Sequence, residues 1–283
     1  MFVLVICVLS PQTAILQGTG VGTPPDSSEN SCGAGALADG RPARRFRAVT
    51  REQAVVWQRE SRSWLARALK LDDLLSPRQG GHAPARIPLN VTFQARPRAT
   101  QYERVELQLN STANRRIQAV LTRPLAAAAY APPYPAIVCI HGHGGDRNAV
   151  YDPQSVYHGF AQDLAESGYV TISTDVGHHV VDEAGRTLMG ERLWDLIRCV
   201  DYLSGCPEVD AARLGCAGLS LGGEMAMWLG AMDERMKVTV SSGFLTTVAN
   251  MRQGHCPCWD FPGLTDHFDF SDVSSLTAPR ALL

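Results

Sequence analysis

Gly218-Leu-Ser-Leu-Gly-Gly223 is the segment that most narrows the folds open to this chain. It follows the short apolar run Arg213-Leu-Gly-Cys-Ala217 and precedes Glu224-Met-Ala-Met-Trp-Leu229, a run compatible with a helix. The pattern predicts a strand, a tight turn and a helix in immediate succession. Such a turn strains the backbone at the serine. It also brings strand and helix so close that Gly218 and Gly222 are needed where a Cβ would clash. The same geometry lifts the Ser220 hydroxyl into the open and directs the start of a helix dipole at it. Ser220 is therefore a candidate nucleophile, with a plain Gly-rich connection between strand and helix as the structural alternative.

The remainder of the chain has room for the fold this turn implies. Its 283 residues, 45% of them hydrophobic, can bury a full core in one large domain, with or without a small appendage. A formal charge of −2 gives no basic field, which argues against a nucleic-acid partner. The eight cysteines form no regular ladder. Cys139 and Cys216 sit in apolar runs and read as small buried hydrophobes. Cys256 and Cys258, in His255-Cys-Pro-Cys-Trp259, are poorly spaced to bridge each other, and no second pair has zinc spacing, so loop packing is expected there and no metal.

Phe2-Val-Leu-Val-Ile-Cys-Val-Leu9 is too short to cross a bilayer, which takes about 20 apolar residues. It fits the apolar region of a secretory leader, although no basic residue precedes Arg41. Residues 1–49 are accordingly read as leader or linker, with export the favoured location and the cytoplasm the alternative. Residues 50–283 are read as the folded domain. Thr50-Arg-Glu-Gln53 has the form of a capping box, and Val55, Trp57, Trp64, Leu65, Ala68 and Leu69 give an apolar stripe for a helix to about Leu75. Strands are expected at 90–94, 102–109 and 116–122, an antiparallel opening to a sheet. From Pro135 onward strands and helices alternate: strand 136–140, helix 153–167, strand 169–173, helix 190–203, the strand before Ser220, its helix, and strand 238–242. That alternation predicts an α/β fold with a mostly parallel sheet and helices on both faces, whose site lies at the carboxyl ends of the strands.

His141-Gly-His-Gly-Gly145 follows the central strand directly. Gly142 and Gly144 make a turn whose backbone N–H groups can face the cleft beside Ser220. The amides of His143 and Leu221 are the expected oxyanion donors, each worth roughly 3–4 kcal/mol in comparable sites. His141 is expected to pack and hydrogen-bond locally. His178-His179, at the same end of the sheet, is read as a loop that meets substrate; a metal cluster with His141 and His143 is the less favoured reading, because no carboxylate lies at a recognisable ligand spacing.

These residues, with Gly190-Glu-Arg-Leu-Trp-Asp195, Cys199-Val-Asp-Tyr-Leu203, Pro207-Glu-Val-Asp210 and Ala278-Pro-Arg-Ala-Leu-Leu283, carry a resemblance. The chain resembles an α/β-hydrolase of the dienelactone hydrolase and acetyl xylan esterase-like group. The resemblance implies hydrolysis of carboxylic esters through Ser220 by an acyl-enzyme mechanism, without a cofactor, on acetyl or other short-acyl esters of a carbohydrate or small alcohol. It also implies a triad acid and histidine beyond the segment 278–283. On that reading the chain is incomplete at its C-terminus, lacks the last strand and helix of the fold, and is a weakly active or inactive form. An internal pair, Asp260 with His267, is the less favoured source of these groups. A prolyl-oligopeptidase-like serine peptidase and a non-catalytic binding module on the same fold are the alternatives.

Overall fold

The computed structural model describes residues 42–75, 87–95, 102–125 and 130–283. The leader reading at residues 2–9 and the linker reading up to residue 40 lie outside them. Helix α1 (Arg51–Ala68) starts at the expected capping box: the Thr50 side chain accepts from the Gln53 N–H, and the Gln53 side chain accepts from the Thr50 N–H. Lys70, at φ 60°, breaks the helical path, so the helix expected to reach Leu75 is completed by a separate short turn, α2 (Asp72–Leu75).

Strands β1 (Thr92–Ala95), β2 (Tyr102–Asn110) and β3 (Arg116–Pro124) form the antiparallel edge. In β2, Val105, Leu107 and Leu109 are buried, as their alternation requires. After β4 (Tyr134–Ile140) come α3 (Phe160–Glu166), β5 (Val170–Thr174), α4 (Leu188–Ser204), β6 (Val209–Leu219), α5 (Leu221–Met232) and β7 (Met236–Ser242). Short helices α6 (Val248–Met251), α7 (Leu264–His267) and α8 (Phe270–Ser275) lead to β8 (Ala281–Leu282). The sheet order is β1-β2-β3-β5-β4-β6-β7-β8, with every pair from β5 to β8 parallel. Helix α3 is shorter than the 153–167 expected from the sequence. His158 (φ 51°) and Gly159 (φ 66°) are left-handed, so the helix begins only at Phe160.

Both faces of the sheet are covered. Along β4, Ala136, Val138 and Ile140 enter the larger core beneath α4 and α5. Ile137 and Cys139 point to the smaller one with Tyr151, Tyr157 and Ala161. Burial pushes the Cys139 thiol well up and the Cys216 thiol to about 12, so both act as inert apolar groups.

Two features lie outside any simple inside–outside pattern. Helix α4 is buried on nearly all sides, charged residues included. Its Asp195 is gripped by the Arg115 guanidinium at 2.7 and 2.8 Å and by the Ser111 hydroxyl at 2.5 Å, groups from the β2–β3 hairpin. The chain from residue 42 to the end of α1 is also strapped to the far end of the sequence. Phe46 N–H donates to Asp272, Gln58 to the carbonyls of Ser275 and Ala278, and Arg62 to those of Ala231 and Leu276. The packed segment thus starts ahead of Thr50.

Candidate active site

Ser220 stands between β6 and α5 with φ 60° and ψ −122°, a region that a residue bearing a Cβ enters only under strain of about 1–3 kcal/mol. The surroundings hold it there. Its N–H donates to the Ser242 carbonyl at 2.9 Å, and its carbonyl accepts the Glu224 N–H at 2.9 Å to start the helix. A Cβ on Gly218 would collide with the Gly222 carbonyl, and one on Gly222 with the carbonyls of Ile140 and His141. The first turn of α5 is therefore seated directly on the ends of β6 and β4. The Ser220 side chain is exposed at the carboxyl end of the sheet.

The Gly-rich loop after β4 lies against it. A Cβ on Gly142 would come 2.7 Å from the Leu219 carbonyl and 3.3 Å from Ser220 Cβ, so the loop and the serine are in direct apposition. The Gly142 N–H donates to the Tyr157 hydroxyl at 2.7 Å, which fixes the start of the turn, and Gly144 carries it round at φ +72° in open space. His141 is fully buried. The Val176 N–H donates to its Nε2 at 3.0 Å and its Nδ1–H donates to the Gly142 carbonyl at 2.8 Å, which defines a neutral tautomer; burial lowers its pKa to match. His141 thus ties the loop after β4 to the loop after β5.

Ser220, Leu221 and His143 line one cleft of about 520 Å³, together with Glu224, Phe244, Leu245, Asn250 and His255. That volume lies in the range of small-ligand sites. The aromatic residues of the long segment after β7 are core: Trp259, Phe261, Phe268 and Phe270 are all buried. The cleft wall on that side is built by residues 243–251. His267 stacks on Trp64, with ring centroids 4.2 Å apart, and its Nδ1 lies 2.9 Å from the Gly263 carbonyl, while Asp260 accepts from the Phe261 N–H. This internal pair is engaged elsewhere.

Two groups near the cleft, Glu224 and Arg192, escape sequence reasoning, and a third, His179, has partners that it did not supply. Glu224, on the first turn of α5, is 2% exposed, and one of its carboxylate oxygens makes no hydrogen bond among the described residues. Burial pushes its pKa up to about 8, against the pull of Arg192, so it carries its proton at neutral pH. Arg192 is itself fully buried and donates to the carbonyls of Cys258 and His178. Third, His179 stands beside His143, with ring centroids 5.4 Å apart and Cys256 Sγ 3.3 Å from its Nε2. The loop bearing it is shaped by Glu191, whose carboxylate accepts the N–H groups of Asp182 and Glu183. The only sequence signal was the presence of charged residues inside the apolar helix 190–203.

Comparison with known proteins places this geometry in a lineage. The family profile described as acetyl xylan esterase (AXE1) matches residues 84–253. A Bacillus subtilis protein named as a hydrolase, YtaP, is 28% identical over 173 residues, 52% of this chain and 58% of that protein. An uncharacterized Pseudomonas aeruginosa protein, PA2218, is 32% identical over 126 residues, 43% of this chain and 32% of its own length. The match therefore spans little more than half the length of the first of these relatives and about a third of the second. Among solved structures, one described as an acetyl xylan esterase from Bacteroides fragilis superposes with a TM-score of 0.69 at 17% identity, over 86% of this chain and 71% of that one. A glucuronoyl esterase from Solibacter usitatus gives 0.57 at 20% identity, over 87% and 76%. The fold is that of the α/β-hydrolases.

Proposed function

The chain belongs to the acetyl xylan esterase family, and from that premise we propose that it is a serine carboxylic-ester hydrolase acting on acetyl or short-acyl esters of a carbohydrate or small alcohol. One observation carries the reading: Ser220, strained and exposed, lies in apposition to the Gly142–Gly145 loop at the mouth of a cleft of about 520 Å³. In this reaction Ser220 Oγ attacks the ester carbonyl as its proton leaves to a base. The tetrahedral oxygen takes hydrogen bonds from the main-chain N–H groups of His143 and Leu221; the latter opens α5 and so has no intrahelical acceptor. Collapse expels the alcohol, and water then releases the acid from the acyl-enzyme. Protonated Glu224 offers a hydrogen-bond donor on the cleft wall to a substrate oxygen.

In the order Ser, acid, His usual for this fold, the acid comes after the strand that β8 begins and the histidine after the strand that succeeds it. Strand β8 runs parallel to β7, and Leu283 bonds Thr239 and Ser241, so the chain heads for the cleft at that point. Export follows from the same substrate class and from residues 2–9; no helix among the described residues is long and apolar enough to cross a membrane.

Hydrolysis of 4-nitrophenyl acetate and acetate release from acetylated xylan test the proposal. Ser220→Ala is expected to remove about 10⁶ in kcat from the protein with its base in place. Turnover that survives this substitution overturns the reading. Rapid serine-dependent turnover by residues 1–283 alone would instead move the base to His255, which lines the cleft.

A further inference from the structure

Beside the serine, four side chains from three separate loops converge: His143 after β4, His179 after β5, and Cys256 and Cys258 after β7. One ligating atom from each lies within 4.8 Å of all the others. Two of the separations are 3.2 Å, from His143 Nε2 to Cys258 Sγ, and 3.3 Å, from His179 Nε2 to Cys256 Sγ. A tetrahedral zinc ion with bonds of 2.0–2.3 Å sets its ligand atoms about 3.3–3.8 Å apart. The cluster needs only to close slightly around an ion to reach that geometry.

We propose that His143, His179, Cys256 and Cys258 form a tetrahedral site for a thiophilic divalent cation of the zinc class, which staples three loops together at the rim of the Ser220 cleft. The donor set selects the ion. Two imidazoles and two thiolates suit zinc, and calcium or magnesium demand oxygen. On binding, each thiol gives its proton to solvent, and the two thiolates neutralise the two positive charges, so no net charge is left at the cleft. Three of the ligands, His143, His179 and Cys256, are exposed, which gives the ion a path in, while Cys258 is buried and forms the floor. Arg192 steadies that floor by donating to the Cys258 carbonyl at 3.4 Å.

A second group, His178 with Asp182 and Glu191, does not compete. Both Glu191 oxygens already accept main-chain N–H groups, and the set lacks sulfur. Four protein ligands leave no open coordination position, so the ion is a structural clip. His143 would ligate through its ring and keep its peptide N–H free. On the reading of the preceding section, the clip therefore fixes the very peptide offered to the oxyanion.

Cobalt titration of the reduced, chelator-treated protein tests the site without reference to catalysis. The expected result is one equivalent bound, with the intense visible bands of tetrahedral cobalt and a near-ultraviolet thiolate charge-transfer band, both erased by zinc. Zinc should also raise the melting temperature. Cys256→Ser and His179→Gln alter exposed side chains and leave the fold intact; each is expected to weaken binding by about tenfold or more. His255→Gln, adjacent in sequence but outside the cluster, is expected to bind as the parent does. Absence of the charge-transfer band, a faint octahedral spectrum, or unchanged affinity in Cys256→Ser would overturn the proposal, and serine-dependent esterase activity would stand regardless.

Discussion

The turn at Ser220 and the cluster at His143, His179, Cys256 and Cys258 share one cleft, yet they are built by opposite means. The turn is defined by main chain and by missing side chains. Strand pairing positions its two ends, and Gly142, Gly218 and Gly222 each leave a space that another segment's backbone occupies. The cluster is defined by side chains on three separate loops, three of the four in solvent, and only Cys256 and Cys258 share a short helical turn, Pro257–Trp259. Local sequence can encode the first kind of site. The second kind exists only after the sheet has brought distant loops together.

The largest effect should come from filling the space at the turn. Gly222→Ala drives a Cβ into the carbonyls of Ile140 and His141, both held in sheet or loop, so a loss of more than about 4 kcal/mol is expected in urea titration. Gly144→Ala has open space and a left-handed φ to contend with, and should cost only about 1–2 kcal/mol. Equal losses at the two positions would erase the distinction between a seated turn and a free loop.

A middle effect belongs to Glu224. Its folded pKa, near 8, stands above the ordinary value of 4.5, so the folded state holds a proton that the unfolded chain has released across that window. The resulting stability is fully present below pH 4.5 and is lost as pH rises toward 8, at up to about 1.4 kcal/mol per pH unit. Glu224→Gln should abolish this decline. Asp195, which burial pushes to about 6, slopes equally in both proteins and cancels in the difference. Parallel urea midpoints for parent and variant from pH 5 to 9 would refute the assignment.

The smallest effect is expected at Leu245, fully exposed on the cleft wall. Leu245→Ser should leave stability within about 0.5 kcal/mol and raise KM for a hydrophobic ester more than it lowers kcat. A large fall in melting temperature would show that the wall is held by packing after all.

Much of the frame was legible because it rests on short-range rules. Alternation in 102–109, the continuous apolar run at 136–140 and the Thr50–Gln53 cap each became the element they describe. The strand–turn–helix at Ser220 was legible for the same reason. What stayed hidden required partners far away in the chain. Nothing in the local sequence signals that Arg192, Asp195 and Arg198 are buried, and they are so because the β2–β3 hairpin and other loops bring counter-groups to them. The meeting of His179 with Cys256 and His143 follows from sheet order alone, since the loops after β4, β5 and β7 open at one end. Helix α3 was read too long because left-handed His158 leaves no compositional mark.

The straps from Phe46, Gln58 and Arg62 to residues 231 and 272–278 have a consequence during synthesis. A ribosome releases α1 long before its acceptors exist, because those lie more than 160 positions later in the chain. Until Leu276 and Ala278 emerge, the apolar face of α1 around Leu65 and Leu69 has no complete seat. Such late closure of widely separated segments slows folding and leaves sticky surface on show meanwhile. Chaperone dependence in the nascent chain, and a steep drop in soluble yield when translation is artificially hastened, are what this architecture leads one to expect.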